Sequence, residues 1–403
     1  MKRGLISVMY FSNELSRGGA EEHILTLLRG LDRKYFRARW VCPPELAAQL
    51  ASDVPADVEL LRLEFRRPGQ FSAAARLAYL IRRCRVDILH SHLFYASLFA
   101  SPVGWFCRVP VVMETPHVRE AWRQGLKSHY LADRLAGTFV DRYIAVSHAN
   151  ARYLVEEKGL PAHKISVIHN GRDIEQFDPE HPAPDGMRKK LGFGENDPVL
   201  AIVGRLEPQK GHCVLFDALS IVRQEFPGVR LVCVGEGSLH AELERRVFTL
   251  GLEGVVRFVG FQSHPATWLA LANFTVLPSF YEGLPLAAID SMAAGRAVVA
   301  TAVDGTPEVV LDGKTGLTVP PGDAARLANA IRRLLRDPRL CGELGRNARK
   351  FVLEKFTQQR QIQQTQELYL STLDQCSLSS SAPVYSRIAR LSTSTRVGDK
   401  TSA

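Results

Sequence analysis

The chain has 403 residues, more than one ordinary core accommodates, so two domains are expected. Hydrophobic residues at 46% and charged residues at 23% exclude a disordered chain and a membrane bundle. A formal net charge of +9 points to anionic partners, whether phosphates, nucleic acid or an acidic membrane surface.

In the first half, short β-like runs alternate with helical patterns. LISVMY (5–10) reads as a strand, followed by the loop FSNELSRGG and a helix from about Ala20. Gly18 and Gly19 precede that helix, a turn that accepts an anion or a sugar but equally serves as a connector. RARWVC, VELLRLE, DILHSHL, VVMETPH and YIAVSH continue as strands, with helical stretches such as SAAARLAYLIRRCR between them. Strands separated by helices predict parallel βαβ units. The longest apolar run, LFYASLFASPVGWFC (93–107), falls short of the ~20 residues a membrane span needs and contains Pro102, so it reads as a buried helix. His117 sits at a strand end, facing the cleft if the sheet reading holds; a lone histidine also suits a structural role. VSHAN and VIHNG place Ser147, His148 and the pair Asn170-Gly171 at comparable strand ends.

Between 171 and 198 the alternation lapses into a Pro-, Asp- and Gly-rich stretch, which marks the domain boundary. The second half then restarts with VLAIVG, RLVCVG, VRFVG, FTVLPS, AVVAT and GLTVP as strands, whose Val/Leu/Ile character suits cover on both faces. Two Rossmann-like domains facing across a cleft follow, with ligands expected outside the carboxyl ends of the strands.

Three strand-end motifs carry most of the chemistry. In VGRLEPQKG (203–211), Gly204 ends a strand, and Arg205 and Lys210 lie in a loop that runs into a helix N-terminus at Gly211. Two cations and a helix end suit a diphosphate, provided Glu207 points away; a solvated loop is the plainer alternative. VGEGSLHAEL is only Gly-x-Gly, and a tight turn with Ser238 as helix N-cap explains it as well as ligand contact does. In SFYEGLPLAAIDSMAAG, Glu282 lies past a strand end, Gly283 permits close backbone approach, and Asp290 falls two helical turns later. Carboxylates accept paired hydrogen bonds from vicinal diols, so each acid suits a sugar; a salt bridge from Asp290 to Arg296 is the competing account. AVDGTPEVV offers Thr306 as N-cap, Pro307 at the first helical position and Glu308 in the first turn.

From 323 to about 372 the pattern is helical, and the Ser/Thr/Arg-rich residues 377–403 read as a disordered tail. Seven scattered cysteines without a CxxC pair, and no signal peptide, imply a reducing, cytoplasmic setting. No Asp-x-Asp motif and no His/Cys cluster at ligand spacing occur along the chain, so no metal is expected.

Taken together and in order, GGAEEHILTLLRGL, TPH, VIHNGRDIEQF, VGRLEPQKG, VGEGSLHAELE, VRFVGF and SFYEGLPLAAIDSMAAGRAVVAT resemble the retaining glycosyltransferases of family 4, the glycosyl transferases group 1 with the GT-B fold. The resemblance spans about residues 5–370 and implies an acceptor domain (1–180), a donor domain (181–356), and a C-terminal helix (357–376) packing back on the first domain. It implies that Arg205 and Lys210 bind the diphosphate of a UDP-, GDP- or ADP-sugar beside Gly204. Glu282 would hold donor-sugar hydroxyls with backbone at Gly283 and Leu284, and Asp290 the ribose. Gly18 and Gly19 would lie near the phosphates and acceptor, and His117 at the reacting face. Glu236 and Phe261 would line the nucleoside pocket. The family usually has Glu-x7-Glu, whereas the second acid here is Asp290, one methylene shorter.

The implied reaction is front-face transfer with retention to a glycan or lipid-linked acceptor, in cell-envelope, polysaccharide or lipopolysaccharide biosynthesis. Arg66, Arg67, Arg76, Arg82, Arg83 and Arg85 suit an acceptor on an anionic membrane and weak peripheral attachment to its inner face; a solvated helix face also explains them. Competing readings are a sugar-nucleotide epimerase or phosphorylase, and a sugar-nucleotide-binding scaffold without turnover. No nucleic-acid-reading motif appears.

Overall fold

Strands as uniformly apolar as these need cover on both faces, and the computed structural model provides it. It describes residues 4–15, 17–65, 70–120, 130–177, 179 and 183–379. The first sheet contains β1 (Ile6–Phe11), β2 (Phe36–Cys42), β3 (Glu59–Arg62), β4 (Ile88–His92), β5 (Val111–Thr115), β6 (Arg142–Ala145) and β7 (Ile165–Val167), in the order β3-β2-β1-β4-β5-β6-β7. The second contains β8 (Val199–Val203), β9 (Arg230–Val234), β10 (Val256–Phe258), β11 (Phe274–Leu277), β12 (Ala297–Thr301) and β13 (Gly316–Val319), in the order β10-β9-β8-β11-β12-β13. All pairings are parallel, from β1 with β2 (Ile6 opposite Phe36) to β12 with β13 (Val298 opposite Gly316).

These are the two expected Rossmann-like domains. The first sheet ends at Val167 and the second begins at Val199, so the boundary falls in the stretch where the pattern lapses. In the first domain, helix Gly19–Gly30 covers one face, where Ile24, Leu25 and Leu28 pack on Val8, Tyr10 and Trp40. Helices Phe71–Cys84 and Phe94–Phe106 cover the other, with Leu77, Leu80 and Phe99 against Met9, Val41 and Leu89. In the second domain, His212–Val222 and Ala324–Arg336 cover one face and Leu286–Ala293 with Pro338–Lys355 the other.

The C-terminal helix crosses back to the first domain, as the resemblance implied. Helix Gln358–Ser379 buries Tyr369 and Leu373 in the first core. The Tyr369 hydroxyl lies 2.6 Å from His90 Nδ1 and donates to the Tyr10 hydroxyl at 3.1 Å. Gly30 lets this helix come close, since a Cβ there would lie 2.0 Å from Ile362 Cδ1. Residues 377–379 of the expected tail are helical; residues 380–403, and Arg66 and Arg67 of the basic cluster, lie outside the described residues.

All seven cysteines are free thiols, and among the described residues no helix is long and apolar enough to cross a membrane. The apolar run at 93–107 is only partly buried. Ala96, Phe99 and Ala100 face the core, whereas Trp105 and Phe106 are exposed.

Winding reverses once in each sheet, between β1 and β4 and between β8 and β11. A parallel sheet opens a crevice at the carboxyl ends of its strands at such a reversal, which defines where a ligand fits.

Candidate active site

The crevice of the second sheet collects the predicted cations and acid. Beyond β8, the loop through Arg205 forms one turn of 3-10 helix, Pro208–Lys210, and enters helix His212–Val222 through Gly211 in the left-handed region (φ 66°). A Cβ at Gly211 would lie 2.1 Å from the Pro278 carbonyl oxygen, so only glycine lets this loop pack on the one after β11. Across that contact, Lys210 Nζ donates to Glu282 Oε1 at 2.6 Å, and Ser279 Oγ donates to the same oxygen at 2.8 Å. Asp304 accepts from the Glu282 amide at 2.9 Å and so fixes the turn.

Arg205 has one long contact within its loop, Nη2 to Gln209 Oε1 at 3.4 Å, which leaves most of its guanidinium donors available to a ligand. Gly204 packs beside the Lys210 stem, 3.4 Å from Lys210 Cε to the position of a Cβ. Glu207 does point away, accepting from the amide and hydroxyl of Ser238 at 2.9 and 2.8 Å. Ser238 is therefore not the expected N-cap; helix His240–Thr249 is preceded by Leu239, and the Ser238 hydroxyl is spent on Glu207. Glu236 and Phe261 adjoin this loop. The Glu236 carbonyl accepts from Leu206 N at 2.9 Å, its carboxylate accepts from Phe261 N at 3.3 Å, and the Phe261 ring is exposed.

The first domain closes over this crevice. A Cβ on Gly283 would lie 1.7 Å from the His117 carbonyl oxygen, so the two domains meet backbone to backbone at these residues. Gly19 meets Leu286, and Ser147 Oγ donates to the Gly283 carbonyl at 2.8 Å. Leu284 buries its side chain in the apolar core, leaving only its backbone for a ligand. Gly18 begins the helix beside Glu21, whose carboxylate lies 3.3 Å from the position of a Cβ there. Burial pushes the Glu21 carboxyl up to about 7; Glu14 raises it further and Arg205 opposes. Burial also raises Glu14, again against the pull of Arg205. The loop before Gly19 thus faces Arg205 across the cleft.

His117 does not stand alone. Its Nε2 lies 2.9 Å from His92 Nδ1, and its ring meets His23 edge-on at 4.9 Å. The His90 and His92 rings lie tilted to one another with centroids 4.3 Å apart. Burial lowers His117, His92 and His90 well below the usual imidazole range and His23 to about 4, so all four rings are neutral at pH 7. The motif HSH in β4 carried the signal for two of them, because positions 90 and 92 share one face of a strand.

Asp290 has a different partner from Arg296. Its oxygens accept from Arg172 Nε at 2.6 Å and Nη2 at 3.1 Å, and Arg172 also approaches Glu22 at 3.7 Å. Burial raises the Asp290 carboxyl, with Arg172 opposing. Arg296 donates instead to the Ala270 carbonyl. Asp290 is therefore part of an ion-pair strap from the second domain to the first.

A second strap was not visible in the sequence. Glu308 accepts from the amides of His148 and Ala149 at 2.9 and 2.8 Å and from His169 Nε2 at 2.9 Å, capping helix His148–Arg152 of the other domain. Its own short helix, Thr306–Val309, is capped by Gly305 and not by Thr306. The potential ligand atoms of His148, His169 and Glu308 lie within 4.8 Å of one another, a metal-compatible group that spacing along the chain cannot show.

The assembled site can hold a dianion between Arg205, Lys210 and the adjoining helix end, and hydroxyls at Glu282. A model of the Glycosyl transferases group 1 family matches residues 185–351, and one of Glycosyltransferase Family 4 matches residues 17–176. The chain is 31% identical over 332 residues to D-inositol 3-phosphate glycosyltransferase of Kribbella flavida, covering 75% of this chain and 72% of that one. It is 31% identical over 300 residues to glycogen synthase of Mycobacterium tuberculosis, covering 72% and 70%. The crystal structure of Anabaena HepE in complex with UDP-glucose is similar in fold, with TM-score 0.81 and 24% identity, covering 91% of this chain and 100% of that one. The chain belongs to glycosyltransferase family 4, with two GT-B domains.

Proposed function

We propose that this family 4 glycosyltransferase moves a sugar from a nucleoside diphosphate sugar to a glycan or lipid-linked acceptor, with retention of anomeric configuration, in cell-envelope or polysaccharide biosynthesis. The observation that carries the reading is the pairing of Lys210 with Glu282 at the winding reversal of the second sheet, with Arg205 on the same loop as Lys210 and the His117–Gly283 contact next to Glu282. The UDP-glucose in the HepE complex supports the donor class.

The leaving group is a diphosphate, which needs positive charge more than a proton. Arg205 and Lys210 supply it as charge develops, within a site closed by both domains. Glu282 orients Lys210 and accepts from donor-sugar hydroxyls. Asp290 has a second lone pair on each oxygen beyond those taken by Arg172, and these serve the ribose. His117 presents a neutral ring to the reacting face, so it offers a hydrogen bond without competing for the diphosphate. Glu282 and Asp304, the carboxylates on the loops beyond β11 and β12, are both engaged in holding the turn, which favours departure and attack on one face over either acting as a nucleophile. No metal is required in this reading.

A thermal-shift screen of UDP, GDP, ADP and their sugars tests the donor class, because a ligand that binds only the folded state raises the melting temperature. Absence of any shift together with absence of donor hydrolysis rejects the reading. The anomeric proton coupling of the product, measured by NMR, tests retention.

A further inference from the structure

Helices Phe71–Cys84, Phe94–Phe106 and Leu131–Gly137 pack side by side on the first domain. Each starts near the carboxyl edge of the sheet and runs back, so their C-terminal ends lie on the edge away from the cleft. Their inner faces are buried, through Leu77, Phe99 and Ala136 among others. Their outer ends are not polar. Trp105 is 53% exposed, Phe106 69% and, nearer the end of the third helix, Leu135 61%. The Trp105, Phe106 and Phe139 rings form one cluster, with centroids 5.1, 5.3 and 6.4 Å apart, which joins the second helix to the loop after the third. A contiguous apolar patch of this kind on a soluble domain marks a contact surface.

The charge around it is mostly positive. Arg82, Arg83, Arg85, Arg108 and Arg134 are exposed at the same helix ends. The Arg82 charge is felt by the Cys107 thiol, next to Phe106. Segments 71–85, 102–110 and 131–140 contain a single carboxylate, Asp133, and it is buried against Lys158 Nζ at 2.7 Å. Aromatic and leucine side chains ringed by arginines, with the exposed Glu59 near Cys84 paired to Arg39 Nε at 2.9 Å, match the interface of an anionic bilayer, where rings enter the headgroup region and guanidinium groups meet lipid phosphates. A second copy of the chain fits less well, because a two-fold contact would set these arginines against themselves.

We propose that this face of the first domain docks on an anionic lipid bilayer through Trp105, Phe106 and Leu135, with Arg82 and Arg108 binding phosphates. Helix Phe94–Phe106 has 13 residues and spans about 20 Å, so the docked domain leaves the cleft open at the opposite end of the same helix. The surface deepens the reading of a lipid-linked acceptor and rests on it for its purpose, while binding itself is measurable without any substrate.

The test is flotation of the full chain with phosphatidylcholine vesicles with and without phosphatidylglycerol. Co-flotation is expected only with phosphatidylglycerol, and weaker at high salt. The double variant Trp105→Ala/Phe106→Ala, and separately Arg82→Glu/Arg108→Glu, should each lower the bound fraction by on the order of tenfold. Melting temperature and donor hydrolysis in free solution should stay unchanged, since these side chains are exposed and remote from the cleft. No co-flotation, equal binding to pure phosphatidylcholine, or undiminished binding of both variants overturns the proposal. So does a dimer in sedimentation that Trp105→Ala/Phe106→Ala dissociates. Hydrolysis that persists without flotation would reject this surface and leave the proposed function standing; flotation without hydrolysis would do the reverse.

Discussion

The two winding reversals share a topology and differ in chemistry. Around β8 and β11 the loops bring Lys210 to the Glu282 carboxylate, with Arg205 on the same loop as Lys210, a cationic crevice. Around β1 and β4 the corresponding crevice contains His23, His90 and His92 behind His117, all neutral, with Glu14 and a buried Glu21 at its rim. A parallel sheet dictates only that a crevice exists; the loop residues decide its charge. The division fits glycosyl transfer. Cations belong where a diphosphate departs, and an uncharged wall belongs where a sugar and an acceptor hydroxyl meet.

That contrast breaks first at Lys210. Lys210→Ala should lower turnover by on the order of 10²–10³, whereas Glu14→Gln across the cleft should change it by less than about tenfold; equal effects would erase the distinction. Gly283→Ala probes the seam between the crevices. Its Cβ would lie 1.7 Å from the His117 carbonyl oxygen, so the faces must part, and misplacement of about 1 Å costs on the order of 10² in rate. Steady-state kinetics on a variant that still melts cooperatively gives the answer.

The strap between the domains is tested by urea unfolding. Arg172→Ala leaves Asp290 buried without its cation, and a loss of about 3 kcal/mol or more is expected. Arg172→Ala/Asp290→Ala should lose less than the sum of the two single variants, and strict additivity would show that the pair is not coupled.

Glu21 sharpens the comparison through pH. Its folded carboxyl titrates at about 7 against an ordinary 4.5, so the folded state holds the proton more tightly. Its contribution to stability is therefore fully present below pH 4.5 and is lost as pH rises through 7, a fall of roughly 3–4 kcal/mol at most. Glu21→Gln should flatten the stability profile in that window, and an unchanged slope would remove Glu21 as its source. The smallest effect is expected from EDTA, which should leave turnover within about twofold because Arg205 and Lys210 supply the charge a metal would otherwise bring.

Much of the donor crevice was legible because its residues are close in sequence and marked by glycine. Arg205, Lys210 and Gly211 lie on one strand-to-helix turn, and Glu282 and Gly283 on another, so period and punctuation placed them at strand ends. The histidine crevice of the first domain was less legible. His117 was visible at the end of β5, but His23 reaches it from a helix near the N-terminus, and its neighbours Asn170 and Gln361 come from 147 and 338 residues away. The partner of Asp290 shows the same limit. Arg296 is the cation nearby in sequence, yet Arg172, 118 positions away, holds the carboxylate.

Alternation of apolar runs with amphipathic helices determined two parallel-sheet domains, and the glycine-bounded loops determined that two cations and an acid would stand at strand ends. Both are matters of near neighbours along the chain, where backbone geometry and side-chain periodicity act directly. Tertiary structure alone decided that Glu308 caps a helix of the other domain, that Asp290 is tied to Arg172, and that the end of an apolar helix lies open at Trp105 and Phe106. Those outcomes depend on which surfaces are buried against which, and burial is a property of the packed domains that no local spacing encodes.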